Sequence, residues 1–402
     1  RRTAAEGCVL LKNDGTLPLK KDDKVAVFGR CQLDWFYVGY GSGGDVKAPY
    51  FVNLIEGMQN AGITLEPNLL ETYVNWTQSE EHQADHGWWG HWPMSHPEMT
   101  LEEHVVLEAK RRCNVAIVVI GRAAGEDRDN TLTPGSFYLT EKEYEMVNTV
   151  TGIFSHTVVL LNIGGIMDMS WVLQYGDRIS SLMLVWQGGM ESGNAVADVL
   201  SGAVNPCGKL SDTIALQYED YPSSSNFGGE LMNRYEENIF VGYRYFDTFA
   251  KDKVLYPFGH GLSYTDFSIR ETQFEVDPPS NTYKVKVTIE NTGYVTGRET
   301  LMVWCHGPKG SVEKAEKVLV AYGKTKPLAP QETDTLTLSF EEYGFASYDE
   351  KGVTGYPNSF VLEKGEYVFT LGLNAREEQR ESMEIEQTKC IRVCEAITGD
   401  SV

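Results

Sequence analysis

The chain has 402 residues, 42% of them apolar and 23% charged, with 35 basic against 57 acidic side chains and a formal net charge of −22. This is the composition of a soluble globular protein long enough for two or three domains. It excludes nucleic-acid and anionic-membrane partners, because phosphate binding needs a basic footprint, and it suits a neutral substrate such as a sugar.

The N-terminus, RRTAAEGCVLL, does not read as a signal peptide, since acidic and polar residues stand where the apolar region should be. No initiating Met is present, so a processed or partial product is expected. Thr3 to Lys12 reads as a helix with Ala4, Ala5, Val9 and Leu10 on one side, and Lys24 to Gly29 as a short buried strand. Asn53 to Ala61 is helical and Ile63 to Glu66 returns as strand. Leu101 to Arg112 is a helix feeding Val115 to Ile120, a β-branched run flanked by charge that reads as a strand buried on both faces. Thr140 followed by Glu143 is a capping box that opens the next helix. Thr157 to Asn162 is strand, Met167 to Tyr175 helix, Ser181 to Trp186 strand, and Ser192 to Ser201 a helix closed by Gly202. Such alternation predicts a layered α/β sandwich with a mostly parallel sheet.

From about residue 265 the pattern changes. Tyr283 to Glu290 alternates polar and apolar, the turn Asn291-Thr292-Gly293 follows, and further strand-like runs cover Glu299 to Cys305, Thr333 to Phe340, Phe360 to Leu362 and Glu366 to Gly372. This predicts an all-β sandwich of immunoglobulin or fibronectin type. The expected domains are 1–265 and 266–402, with the boundary near Tyr264 to Phe267.

Parallel sheets place their active loops beyond the carboxyl ends of the strands. The stretch after Ile120, GRAAGEDRDN, delivers Glu126 there on a small-residue turn between Arg122 and Arg128. A general acid needs desolvation or nearby negative charge to keep its proton near neutral pH. Asp127 and Asp129 would supply the charge, and the two arginines oppose it. A solvated surface carboxylate is the plainer alternative for Glu126.

Five of the eight histidines lie between His82 and His104, interleaved with Trp88, Trp89 and Trp92. His82 and His86 would share a helical face and could hold a metal, but Gly87, Gly90, Pro93 and Pro97 break any continuous helix. An aromatic wall for a sugar fits better, because indole rings stack on pyranose faces; a structural loop is the third reading. No metal and no cofactor are expected. The segment Val38 to Gly44 lacks the third glycine of a dinucleotide loop, and GKLS at Gly208 fails as a P-loop, so a nucleotide-binding α/β protein is disfavoured. A tight loop approaching a ligand suits Val38 to Gly44 better. Seven scattered cysteines, an odd number, do not resemble a disulfide framework. Reduced thiols in the cytoplasm are expected, with a periplasmic or secreted location as the alternative.

Several segments together resemble the C-terminal half of family 3 glycoside hydrolases of the β-glucosidase type. They are AAEGCVLLKNDGTLPL at Ala4, VGYGSGGDVKAPYFV at Val38, GNAVADVLSGAVNPCGKLSDT at Gly193, YEENIFVGYRYFD at Tyr235, YPFGHGLSYTDF at Tyr256 and the following VTIENTGYVTGRETLMVW. The resemblance implies an α/β sandwich followed by a fibronectin type III-like domain. It implies a retaining, exo-acting β-glycosidase acting on an oligosaccharide or glycoside, with terminal β-linked glucose the family's commonest glycone and xylose, arabinose and others also open. Glu126 would be its acid/base. The family pattern Gly-Glu-Gly-x-Asp-Arg is matched by Gly125-Glu126-Asp127-Arg128, shorter by two residues. Trp88, Trp89 and Trp92 are expected to flank the leaving group, with Arg122 and Arg128 binding substrate. The nucleophilic Asp of the family belongs to a (β/α)8 barrel. No barrel-length segment and no Ser-Asp-Trp stretch occurs here, so the barrel is expected after Val402 or on a separate chain, and a homo-oligomer is a further expectation. The alternative is a non-catalytic carbohydrate-binding or assembly module of the same fold.

Overall fold

The computed structural model describes residues 1–41, 48–85, 87–229, 231–277, 281–373 and 376–394. They form two compact units, residues 1–210 with 260–264, and residues 211–259 with 265 onward.

The first unit is an α/β layer structure. Its elements run α1 (Arg2–Gly7), β1 (Val9–Asn13), β2 (Lys24–Phe28), α2 (Leu54–Asn60), β3 (Thr64–Leu65), α3 (Pro67–Gln78), α4 (Glu103–Arg112), β4 (Val115–Arg122), α5 (Glu141–Ile153), β5 (Thr157–Ile163), α6 (Val172–Tyr175), β6 (Ser181–Leu184) and α7 (Ser192–Leu200). The six strands are ordered β1-β6-β5-β4-β2-β3. All neighbours are parallel except β1 with β6. Every residue of β4 and β5 is buried, as a strand covered on both faces requires. Valine, isoleucine and leucine from these strands pack with Leu54, Met58, Val196 and Leu200 of the helices.

Two local expectations are corrected and one helix is added. Thr3 to Lys12 is not one helix: α1 stops at Gly7, and Val9–Asn13 forms the antiparallel edge strand. Val9, Leu10 and Leu11 are buried in succession, which a strand between sheet and loop satisfies and a one-sided helix would not. Leu10 also accepts from Leu262 N at 2.7 Å. Met167 to Tyr175 is helical only over its last four residues, because Asp168 turns its carboxylate onto Ser170 N and Oγ. Helix α3 was not visible as a periodic stretch; Pro67 at its first position and the Glu66 side chain on Leu69 N start it. The capping box at Thr140 and Glu143 is present as expected.

The second unit holds β7 (Ile214–Ala215), α8 (Tyr243–Phe249), β8 (Val254–Tyr256), β9 (Phe267–Asp277), β10 (Thr282–Asn291), β11 (Thr300–His306), β12 (Val318–Lys324), β13 (Thr333–Glu341), β14 (Ser347–Asp349), β15 (Ser359–Leu362), β16 (Gly365–Leu373), β17 (Arg376–Ile385) and β18 (Lys389–Val393). Its sheets are antiparallel, with orders β13-β10-β9, β12-β11-β16-β17, β14-β15-β18 and the pair β7-β8. Tyr283, Val285, Val287 and Ile289 alternate inward on β10 and meet Leu301, Val303, Tyr367 and Phe369.

Candidate active site

The first sheet reverses its winding between β2 and β4, since the chain goes from β2 to the β3 edge and then returns to β4 on the other side. The crevice beyond the carboxyl ends of those two strands is where open α/β sheets bind ligands. Glu126 emerges at this place. After Arg122 the chain runs through buried Ala123 into a tight turn, Gly125 to Arg128, closed by Arg128 N donating to Gly125 O at 3.2 Å. Asp127 has φ of 57°, the left-handed conformation that the third residue of such a turn adopts.

The turn is held from both sides. Tyr40 N donates to Ala124 O at 2.7 Å and Glu126 N donates to Tyr40 O at 3.1 Å, so residues 40 and 124–126 form a short ladder. Tyr40 is itself on a pinned segment. Buried Asn162, at the carboxyl end of β5, accepts from Phe36 N at 2.8 Å and donates to Phe36 O at 2.9 Å. Gly41 has φ of 109°, and a Cβ there would stand 2.4 Å from Glu126 Cβ and 2.9 Å from its Oε2. A side chain at 41 would therefore displace the carboxylate. The rest of the glycine-rich segment, residues 42–47, lies outside the described residues.

The tryptophans divide. Trp92 is only 4% exposed and stacks on Tyr40, ring centroids 5.8 Å apart and nearly parallel. It also supports the turn, because a Cβ on Gly125 would meet Trp92 Cε3 at 3.2 Å. Trp89, 50% exposed, stands edge-on to Trp92 at 5.2 Å. Trp88 is 66% exposed and packs against His91. The structure thus brings Glu126, Tyr40, Trp92 and Trp89 into one neighbourhood, with Trp88 at its outer edge. Of the suggested metal pair, His82 bonds Ser79 Oγ through Nδ1 at 2.8 Å and packs its ring on Trp76, while His86 lies outside the described residues.

The two arginines also differ. Arg122 is 2% exposed and its guanidinium grips Glu143 of α5 with two bonds of 2.7 Å. The same guanidinium donates to the carbonyls of Ser136, Gly121 and Tyr138. Every N–H of the guanidinium is engaged within the fold. Arg122 therefore fixes the exit of β4 and the 136–138 segment, and it does not reach the surface where Glu126 stands. Arg128 is half-buried, with its Nε buried and no hydrogen-bond partner. Glu126 itself is exposed.

Tyr40 and Gly41 were within the segment singled out as a ligand-approaching loop, but nothing in the sequence tied them to Glu126. Glu143 was visible as a cap and not as the partner of Arg122.

Residues 8–264 match the model of the Glycosyl hydrolase family 3 C-terminal domain, and residues 299–375 that of a Fibronectin type III-like domain. A β-glucosidase of Ruminococcus albus is 43% identical over 373 residues, covering 92% of this chain and 39% of its own length. A crystal structure of a β-glucosidase from Paenibacillus barengoltzii superposes with a TM-score of 0.94 at 43% identity, covering 98% of this chain and 44% of that one. β-Glucosidase 3B of Thermotoga neapolitana, solved in complex with α-D-glucose, gives 0.87 at 33% identity, covering 97% and 54%. The chain spans less than half the length of the curated relatives that match it over more than nine-tenths of its residues.

Proposed function

This chain belongs to glycosyl hydrolase family 3, and we propose that it forms part of a retaining, exo-acting β-glycosidase, a β-glucosidase in which Glu126 is the general acid/base. The nucleophilic Asp is supplied by a (β/α)8 barrel outside these residues. The observation that carries the reading is the seating of Glu126: a carboxylate at the switch crevice, on a turn locked by Tyr40 and Gly41 and backed by Trp92. Glu126 is exposed, and a general acid needs a desolvating wall, which the barrel provides.

In the first step the barrel carboxylate attacks the anomeric carbon while the Glu126 carboxyl gives its proton to the departing glycosidic oxygen. In the second, the Glu126 carboxylate takes a proton from water as that water attacks the glycosyl-enzyme, freeing the sugar and the nucleophile. The two carboxyls stand about 5 to 5.5 Å apart in this class of reaction. Trp89 faces the leaving group, backed by the buried Trp92, with Trp88 at the rim. Arg128, half-buried on the same turn as Glu126, contacts the substrate. Arg122 serves substrate binding indirectly, by holding the strand exit from which the turn springs. Domains 1–265 and 266–402 are our proposed division, supported by the end of the family match at 264. None of the seven cysteines is in a disulfide, which supports a reducing compartment such as the cytoplasm. No helix among the described residues is long and apolar enough to cross a membrane.

The test is Glu126→Ala in the chain joined to its barrel. Turnover of a β-linked disaccharide should fall by at least about a hundredfold. Azide should partly restore turnover of substrates with good leaving groups, giving a β-glycosyl azide. Unchanged disaccharide turnover rejects the assignment. The exposed Trp88 and Trp89 favour a second reading, a carbohydrate-binding module. Sugar binding with no hydrolysis in the assembled protein would select it.

A further inference from the structure

Arg30 stands two residues beyond β2, on the other side of the same crevice. Its backbone is forced there by Gly29, with φ of 101°, where a Cβ would stand 2.2 Å from Val119 O. Arg30 is 1% exposed, so its charge has left water and every donor needs a partner. Nε donates to Asp34 Oδ2 at 2.5 Å, Nη1 to Pro97 O at 3.0 Å and Nη2 to His82 O at 2.5 Å. The guanidinium centre lies 5.2 Å from the ring centroid of Trp76, which also packs on His82. The backbone N–H of Arg30 donates to Glu98 Oε2 at 2.7 Å, while Glu98 Oε1 accepts from Met99 N at 2.8 Å.

His82 and Pro97 stand on either side of the segment that carries Trp88, Trp89 and Trp92. One buried planar fork therefore closes both ends of that segment in the manner of an Ω-loop neck. Further along, Ala123 N donates to Met94 O at 2.7 Å and His96 stacks on Phe36 at 5.0 Å, which fastens the returning limb of the loop to the exit of β4 and to the Tyr40 segment. We propose that Arg30 is a positioning residue for catalysis: it ties the neck of the tryptophan loop and so fixes the aromatic wall beside Glu126. The functional half of this inference rests on the hydrolase reading above; the structural half does not.

Lysine carries the charge but cannot place two N–H groups in a fixed fork. Arg30→Lys and Arg30→Met are therefore compared with wild type in the barrel-joined protein. Amide exchange at residues 87–97 should quicken by about tenfold or more in both, with α5 amides unchanged. The KM for a β-linked disaccharide should rise about fivefold while kcat falls by less, and a methyl glucoside, which has no ring in the leaving-group position, should be barely affected. Unchanged exchange at 87–97 in a folded variant overturns the clamp. Faster exchange with identical disaccharide and methyl-glucoside kinetics overturns its role in catalysis. Should neither Arg30 variant fold, Asp34→Asn, which weakens the anchoring of Nε alone, is judged by the same two readouts. Absence of hydrolysis by the wild type would sink the hydrolase reading instead, and the exchange data would still decide the clamp.

Discussion

Glu98 offers a test in which magnitude and sign both follow from the structure. It is 6% exposed, and its two oxygens accept from Arg30 N and Met99 N. Burial pushes its carboxyl up from the usual 4.5 to about 7, against the two backbone hydrogen bonds; nearby Glu143 adds to the rise and Arg30 opposes it. Cys31 and Tyr73 also face it, and both are themselves raised by burial first and by Glu98 next. A carboxyl whose folded value lies above its unfolded one stabilises the fold fully below the unfolded value, and that contribution is lost as pH rises through the folded value. The window is therefore pH 4.5 to 7, and the loss across it is about 3 kcal/mol at 1.36 kcal/mol per pH unit. Glu98→Gln cannot titrate, but its amide nitrogen must face one of the two N–H donors, which costs about 1–2 kcal/mol at every pH. Wild type should thus be the more stable at pH 5 and the variant the more stable at pH 8. The assay is hydrogen exchange at the β4 amides in a urea series, which reads this sheet and not the β sandwich. Parallel wild-type and variant profiles from pH 5 to 8 would refute the reasoning.

Two further perturbations separate scaffold from chemistry. Arg122→Met leaves buried Glu143 without its partner, so the β4 amides should lose about 3–5 kcal/mol of protection, and Arg122→Met with Glu143→Leu should recover much of that. Gly41→Ala meets a φ of 109° and the Glu126 side chain together. The strain should cost about 1–2 kcal/mol in urea unfolding, while kcat on a disaccharide falls at least about tenfold, because a carboxyl moved by an ångström loses its alignment.

The parts legible in the sequence were those whose signal is local. The run Val115 to Ile120 could only be a doubly covered strand, and Thr140 with Glu143 carries its own helix start. The alternation of Tyr283 to Glu290 named its inward face directly. Illegible parts depended on residues far apart in the chain. Val9 to Lys12 satisfies a helical and an extended pattern equally, and only pairing with β6 and Leu262 decides between them. Arg122 and Arg128 look alike beside Glu126, yet one is consumed by Glu143, 21 positions on, and the other keeps an unpartnered Nε. Trp88, Trp89 and Trp92 formed one cluster on paper; Tyr40 and Gly125 single out Trp92 for burial. Arg30 gave no signal at all, because its two carbonyl partners are backbone atoms of residues whose side chains are irrelevant to the contact.

The distribution of burial explains why Glu126 can be both precise and exposed. Two arginines at the strand exits have been taken out of water and hydrogen-bonded at every nitrogen: Arg122 on Glu143 and neighbouring carbonyls, and Arg30 on Asp34 and two carbonyls. Breaking a buried, hydrogen-bonded charge costs several kcal/mol, so these ties hold the two strand exits rigid. The short ladder with Tyr40 then seats the backbone of the turn, and the space over Gly41 admits the Glu126 side chain. On the proposed hydrolase reading, this side of the site is thus preorganised, and the second wall would have only to exclude water and present the opposing carboxyl. It follows that Glu126 and the tryptophan wall should keep their geometry in the isolated chain, and that activity should appear on addition of the barrel without a slow rearrangement of this sheet.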